Sequence, residues 1–511
     1  MKRDPQPQDD DERQLRQFGY EQELARRMGS FSNFAISLSI ICILAGGITS
    51  FHVGLCSAGG ASIGLGWPLV CLLPLTVALT MAQVASAFPT AGGLYHWGSI
   101  LGGRGLGWVT AWFNLAGLIT VLGAVNAGTY DFAVAAFGLT PSEASAATMK
   151  TAVVVVMTLS QGLLNQYGIR WTARLTDLSG WLILIVTGLL TPALLFWAPH
   201  LEWSRLWTFT NFSGLPEGAA VFPKQTSLPW LFALGFMLPA YTITGFDASA
   251  HTAEETLCAA RNVPKGILLS VVVSGLCGYC LVSAILLAIP DLALGAAKGS
   301  DVVHWTLRSV LPAPLALGAL AGIVLAQYLC GLAALTSTSR MTFAFARDGG
   351  LPGSGWLRRV NPRTKSPSAA VWTSAVGAAV FTVLVPYTTI AAVCVIFLYI
   401  SYVLPVAAGC LAHGRSWTRM GPWQLGRWYR PLAIVAVLGS VFIIVIGMQP
   451  PNQQAVRLVG GAVVLLVLVW FGVERKRFKG PPGLGVSGAD PRGGLDPAEL
   501  ARGRSEGPEE G

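Results

Sequence analysis

Charge is scarce in this chain. Asp, Glu, Lys and Arg make up 12% of its 511 residues, against roughly 25% in soluble domains. Hydrophobic residues reach 53%, so there is too little charge to cover a water-soluble surface of this size. Several chemistries are also missing. The six histidines show no metal-ligand spacing, and no Ser/His/Asp arrangement can be assembled. The glycine-rich run at 103–107 has no strand before it and no Lys-Ser/Thr after it, so it is not a phosphate loop. The short alternating segments of a membrane β-barrel do not occur. No metal, cofactor or catalytic set is therefore expected. Residues 1–27 contain no apolar stretch ending in a cleavage site, so the first apolar segment is expected to target the chain. Most of the nine cysteines lie in apolar segments. Cys277 and Cys280 have redox-motif spacing, but inside a hydrophobic helix the expected role is packing.

What is present is a succession of apolar runs, at about 33–56, 65–87, 106–137, 148–165, 178–198, 228–251, 267–289, 316–338, 368–386, 388–411, 432–449 and 457–473. Each is close to the roughly 20 residues a membrane-crossing helix needs. The chain thus reads as an all-α polytopic membrane protein with twelve spans. An even count puts both termini on one side, and the basic residues choose that side. Only Lys150, Arg205, Lys224, Lys298, Arg308 and Arg457 fall opposite the termini, leaving 28 of the 34 Lys and Arg on the terminal side. Basic residues favour the cytoplasm, so both termini are expected there. This loop bias also accounts for the net charge of +9 without a nucleic-acid partner. Residues 1–17 are charged and read as disordered, 18–28 as a short interfacial amphipathic helix with Arg26 and Arg27 near the headgroups, and 479–511 as a disordered tail.

Two spans carry signs of interruption. In the sixth, Pro239 lacks an N–H and its ring presses on the carbonyl of Gly235, while Thr242, Ile243, Thr244 and Gly245 follow at once. In the first, Ala45-Gly46-Gly47-Ile48-Thr49 lies at mid-span. Unpaired backbone groups at that depth are costly unless they face protein, water or a ligand. Interrupted spans in two halves of a chain point to a transporter binding site. The competing readings are a small-residue packing face for 45–49 and an ordinary kink for Pro239 and Gly245.

The stretches FGYEQELARRMGSFSNFAISLSIICILAGGIT (18–49), AFPTAGGLYHWGS (87–99), GFDASAHTAEET (245–256) and RMTFAFARDGGLP (340–352) resemble amino acid permeases of the amino acid–polyamine–organocation superfamily. The likeness is greatest to the amino acid/choline branch, which includes GABA-permease-like proteins. The resemblance implies a LeuT-type fold of two inverted five-helix repeats with two added helices. Accordingly, 1–29 is expected as an N-terminal tail, 30–198 as the first repeat and 199–227 as an extracellular loop. The second repeat would occupy 228–411, spans 11 and 12 would lie in 412–475, and a tail would follow at 476–511.

In that arrangement the free N–H groups of Gly46, Gly47, Ile48 and Thr49 present the positive end of a half-helix, suited to a carboxylate. Carbonyls of 239–242 present a negative end, suited to an ammonium. Tyr241, Thr242, Thr244, Gly245 and Phe246 flank the second interruption, and the resemblance implies that Phe246 gates the substrate. Asn126 and Gln327 either line the pocket or bond between helices. Asp247 is an intramembrane carboxylate, read first as a helix cap and second as a proton carrier. His251 is expected near the cytoplasmic surface, and Glu254 and Glu255 in a loop near Arg174 or Arg340. Thr336, Ser337 and Thr338 either supply hydroxyls to a sodium ion, with the carbonyls of Leu44 or Ala45, or bond their own backbone. Span 5 has no lysine between 178 and 198 to replace such an ion.

The function so implied is a secondary transporter in the plasma membrane, importing an amino acid or small amine with H+ or Na+. Its partners are the substrate, the ion and the lipid bilayer. The alternatives are an exchanger, a choline or polyamine transporter and a non-transporting sensor. The charge bias makes a first prediction: epitope tags at either terminus of the expressed protein should be reached by antibody only after the membrane is permeabilised. Labelling of intact cells would refute the orientation.

Overall fold

The computed structural model describes residues 7–139, 142–385 and 387–482; the tail expected to be disordered lies, from 483 on, outside the described residues. Among the described residues the apolar runs form ten helices long and apolar enough to cross a bilayer. Two shorter apolar helices, Leu228–Thr242 and Ser368–Leu384, complete the twelve. Spans 1 and 6 stand at the centre and both are broken. Span 1 runs Ser30–Ile41 and resumes as Gly46–Thr49 and Phe51–Ala58. Span 6 runs Leu228–Gly235 and Met237–Thr242 and resumes as Ala248–His251.

The unbroken spans pack around this pair. The first half of span 1 lies against span 5 (Ile169–Trp197), span 7 (Ala259–Ala288) and span 8 (Ala313–Arg347). Span 3 (Arg104–Phe137) packs on span 8 and on span 10 (Tyr387–Ala412). Span 2 (Gly66–Ala87) lies against span 7 and the Met237–Thr242 piece of span 6. Span 11 (Tyr429–Gly447) packs on spans 2 and 10, and span 12 (Gln453–Val469) on span 10. Large apolar side chains such as Leu189, Leu468 and Phe471 stay exposed, as helices surrounded by lipid require.

Local chemistry explains the breaks. Cys42 sits at φ +23°, a conformation that L residues avoid, and Gly245 takes φ +87°, which only glycine adopts without strain. Pro239 acts one turn earlier than the break itself. It lies inside Met237–Thr242, and the helix before it ends at Gly235, the residue whose carbonyl its ring crowds.

The face that carries both chain ends, called inner below, is closed by the N-terminal segment. Here two expectations are corrected. The short helix occupies Pro7–Gln17, and 18–28 is extended. Tertiary contacts decide this. The Asp11 carboxylate accepts from the N–H groups of Cys258 and Ala259, at 2.7 and 3.1 Å, at the start of span 7. Tyr20, Leu24, Arg26 and Met28 are all buried, which an interfacial helix with one wet face does not permit. Arg26, expected at the headgroups, instead donates to the carbonyls of Ala253 and Thr256. Met28 pairs with Thr256 as an isolated bridge.

Glu255 and Arg340 form a fully buried bidentate pair at 2.9 and 3.0 Å. The pairing expected for Arg340 is therefore present. Glu254 is held by Arg347, not Arg174, at 2.9 and 3.0 Å, and both glutamates are buried rather than in an open loop. Tyr20 and Tyr95 donate to Asp348 at 2.7 and 2.8 Å. Burial raises the Asp348 carboxyl above its ordinary range, against the pull of Arg347. At the other chain end, Phe478 is buried against Tyr95 and Phe345.

Breaking a buried ion pair strands a charge, at a cost of about 3–5 kcal/mol, whereas replacing both members with apolar residues is close to neutral. Arg340→Leu should therefore sharply lower the thermal unfolding temperature of purified protein. Arg340→Met combined with Glu255→Leu should recover most of the loss; equal destabilisation by both would contradict the pairing.

Candidate functional site

The two breaks meet at Gly46. A Cβ placed there would lie 2.8 Å from the Cα of Thr242, closer than real contacts allow, so only glycine lets the chains approach this far. On the span 1 side, the N–H of Gly46 donates to the Cys42 carbonyl at 3.0 Å, and that of Thr49 to Ala45 at 2.8 Å. Two of the four expected donors are thus satisfied within the chain. The N–H groups of Gly47 and Ile48 have no acceptor among the described residues, and both residues are buried. Buried backbone donors without partners are rare, and here they point from the start of a half-helix.

The span 6 side is reciprocal. The Pro239 carbonyl accepts from the N–H of Ile243 at 2.9 Å, and the Tyr241 carbonyl from the Thr244 hydroxyl at 2.9 Å. The carbonyls of Ala240, Thr242 and Ile243 have no donor among the described residues. Two N–H groups and three carbonyls of opposite polarity therefore lie on either side of one helix crossing. This pattern suits a solute with one anionic and one cationic end.

A cavity of 620 Å³ opens from this crossing towards the face opposite the termini. Thr49 and Tyr241 line its deep end, with Gly128 and Phe132 of span 3, while Asp131, Asp301 and His304 lie on its walls. Of the residues expected at the site, Thr49 and Tyr241 face this space. Ala45, Gly46, Gly47, Ile48, Thr242, Thr244, Gly245 and Phe246 are packed in the breaks. The Phe246 ring lies 4.8 Å from that of Tyr402.

Other expected residues are engaged elsewhere. Asn126 and Gln161 exchange hydrogen bonds at 2.9 Å, and Asn126 also donates to Thr158, so it ties span 3 to span 4 (Glu143–Gln166). Gln327 donates to the Leu44 carbonyl at 3.0 Å and so braces the first break from span 8. The Thr336 hydroxyl lies 2.7 Å from Asn165 Oδ1 and 2.9 Å from its own helix's Leu332 carbonyl, sharing one proton between them, while Ser337 is buried without a partner among the described residues. The Ala45 carbonyl takes both the N–H and the hydroxyl of Thr49.

Asp247 corrects the capping expectation. It precedes the helix Ala248–His251, but its carboxylate makes no capping bond. Instead it accepts from Tyr402 at 2.8 Å and Asn114 at 2.9 Å, and His251 lies 3.1 Å away. His251 is fully buried rather than at the surface. The Tyr402 hydroxyl also accepts from the N–H of Gly245 at 3.0 Å, so one phenol satisfies the broken backbone and the carboxylate together. Asn114 and Tyr402 carried no periodicity signal. A polar group inside an apolar span was their only mark in sequence.

The crossing makes two unequal demands on its glycines. Gly46→Val should abolish transport at preserved expression, because the methyls collide with the Thr242 backbone. At Gly47 a Cβ meets only ordinary contacts of 3.7–3.9 Å, so Gly47→Ala should fold with unchanged thermal stability. Full uptake by Gly46→Val would refute the crossing.

Comparison with known proteins agrees with this architecture. Residues 28–473 match the family model described as amino acid permease. The amino-acid permease BAT1 of Arabidopsis thaliana is 30% identical, over 91% of this chain and 95% of its own length. Its homologue in Oryza sativa subsp. japonica is 31% identical over 91% of this chain and 94% of its own. The GABA-specific permease of Saccharomyces cerevisiae is 28% identical over 94% and 87%. With twelve apolar helices among the described residues, a doubly broken centre and a match across nearly its whole length, the chain is a multi-pass membrane transporter, not an enzyme, and belongs to the amino acid permease family.

Proposed function

We propose that the protein imports a neutral amino acid or GABA across the plasma membrane, by alternating access and with a proton. One observation carries this reading: the unpartnered N–H groups of Gly47 and Ile48 and the unpartnered carbonyls of Ala240, Thr242 and Ile243 belong to the two breaks that meet where Gly46 approaches Thr242. Carboxylate on the first set and ammonium on the second is the assignment that their partial charges favour. The half-helix pairing also fits two inverted repeats, spans 1–5 and 6–10, with the termini cytoplasmic.

Access is one-sided in this state. The cavity reaches Thr49 and Tyr241 from the outer side, and Glu254–Arg347 and Glu255–Arg340 close the inner side. Substrate would draw the outer walls together, and opening inward would separate those ion pairs. The similarity to a GABA-specific permease supports a small amino acid or GABA. A polyamine would require several free carboxylates, and Asp131 is already paired with Lys150 at 2.7 Å.

For the coupling ion, the proton is favoured. A sodium site at Thr336 and Ser337 would need oxygens that are committed elsewhere: Leu44 to Gln327, Ala45 to Thr49 and Thr336 to Asn165. Asp247, buried beside the break, is the protonatable group at depth. Proteoliposomes supply the test. An inward proton gradient should drive uptake of labelled neutral amino acids and GABA, a sodium gradient should not, and Asp247→Asn should reduce the gradient-driven component about a hundredfold. Uptake that ignores both gradients and requires internal substrate would make the protein an exchanger.

A further inference from the structure

One side chain connects the carboxylate at the break to the seal of the inner face. His251 is fully buried one helical turn after Asp247. Its Nε2 lies 3.1 Å from Asp247 Oδ2, and its Nδ1 lies 3.4 Å from the carbonyl oxygen of Ala91, in the turn after span 2. The N–H of the same Ala91 donates to Glu254 at 3.1 Å, and Glu254 is held by Arg347.

A neutral imidazole has one donor nitrogen and one acceptor nitrogen. Here both nitrogens face acceptors. A neutral ring beside an ionised Asp247 must therefore set one nitrogen lone pair against an oxygen lone pair. Two states avoid this. In one, an imidazolium donates to both the carboxylate and Ala91. In the other, a protonated Asp247 donates to Nε2 while Nδ1–H donates to Ala91. These states differ only in the place of one proton between Oδ2 and Nε2, and the pair is neutral in both.

We propose that His251 shares the coupled proton with Asp247 and releases it to the inner side; this rests on the proton-coupled reading above. The proton moves from Oδ2 to Nε2, and the O–H electron pair stays on the oxygen. The Nδ1 proton then passes to water once the inner face parts. What remains is a carboxylate with a neutral Nε2–H ring, one proton having been delivered. Two effects oppose that loss while the face is shut. It would leave a net negative charge on a pair that is fully buried, and it would turn the Nδ1 lone pair against the Ala91 carbonyl. Because Ala91 also holds Glu254, the same repulsion loosens the seal. Release and inward opening thus favour each other.

The titratable groups facing the pair are few. Tyr402 comes from span 10, beside the neutral Asn114 of span 3. Glu254 with Arg347 lies beyond Ala91, and His96 is nearby with its Nδ1 held by Thr90 at 2.8 Å. None of them offers His251 a second acceptor nearer than Asp247 and Ala91.

Nitrogen NMR of histidine-labelled wild-type protein in lipid, with the His251 signal assigned by its loss in His251→Gln, tests the geometry without a substrate. The expected ring carries a proton on Nδ1 at neutral pH, as imidazolium or as the Nδ1–H tautomer. A neutral Nε2–H ring would overturn the proposal. Transport is then measured with a mixture of labelled neutral amino acids and GABA. His251→Gln should lose gradient-driven accumulation by about a hundredfold and should keep exchange against internal amino acids. If wild type ignores the proton gradient, the proton-coupled reading fails. If wild type responds and His251→Gln responds equally, that reading stands and the role of His251 falls. A variant inactive in exchange leaves the NMR result on wild type to decide.

Discussion

The structure depends on the approach of two broken helices at Gly46 and Thr242. In an apolar interior each backbone N–H and carbonyl must find a partner, and an unbroken helix supplies all of them. Breaking two helices at one point releases groups of opposite polarity and then requires the surroundings to account for them. Much of the polar content of the central spans does this. Gln327 takes the Leu44 carbonyl, Ser37 donates to Phe246, and Tyr402 accepts from Gly245. The groups left over are on Gly47, Ile48, Ala240, Thr242 and Ile243, which have no backbone partner among the described residues.

The two ends of the bundle are built from different forces. Towards the cavity, side chains such as Thr49, Tyr241 and Phe132 line open space. Towards the chain ends, charged and aromatic groups are packed against one another and buried. Arg26, Arg340 and Arg347 are paired with acceptors there, and the ring of Tyr20 lies beneath the guanidinium of Arg347 at 3.8 Å. Such pairs contribute little net stability because desolvation offsets attraction. They do make the closed state specific, since each charge has one good partner and none in lipid. Opening this face would have to separate these pairs.

Helix existence was legible because crossing a bilayer forces long apolar runs. The interruptions were legible through Pro239, Gly245 and the pair Gly46-Gly47, residues whose backbone chemistry is local. The N-terminal segment was misread for the opposite reason. Its composition resembles a solvated tail, yet Asp11 finds the start of span 7, Tyr20 finds Asp348, and Leu24 packs with Phe343 and Ala370, hundreds of residues away in sequence. For Asn126 an amide in an apolar span is conspicuous but leaves a pocket role and an interhelical bond equally open; its partners Thr158 and Gln161, on another helix, give the interhelical bond.

Asp247 shows where the boundary between sequence and structure lies. Its position just before Ala248-Ser249-Ala250 suggests a cap, since capping is decided by neighbours within four residues. Its actual partners, Tyr402 and Asn114, come from other helices, and only His251 is local. The sequence by itself determined which segments enter the membrane, which side holds the charge and where two helices must fail, because hydropathy and backbone chemistry act over short stretches. Only the tertiary structure decided which freed backbone groups stay unpaired and which side chains surround the buried carboxylate. Those contacts join residues more than a hundred positions apart, and helix packing alone brings them together.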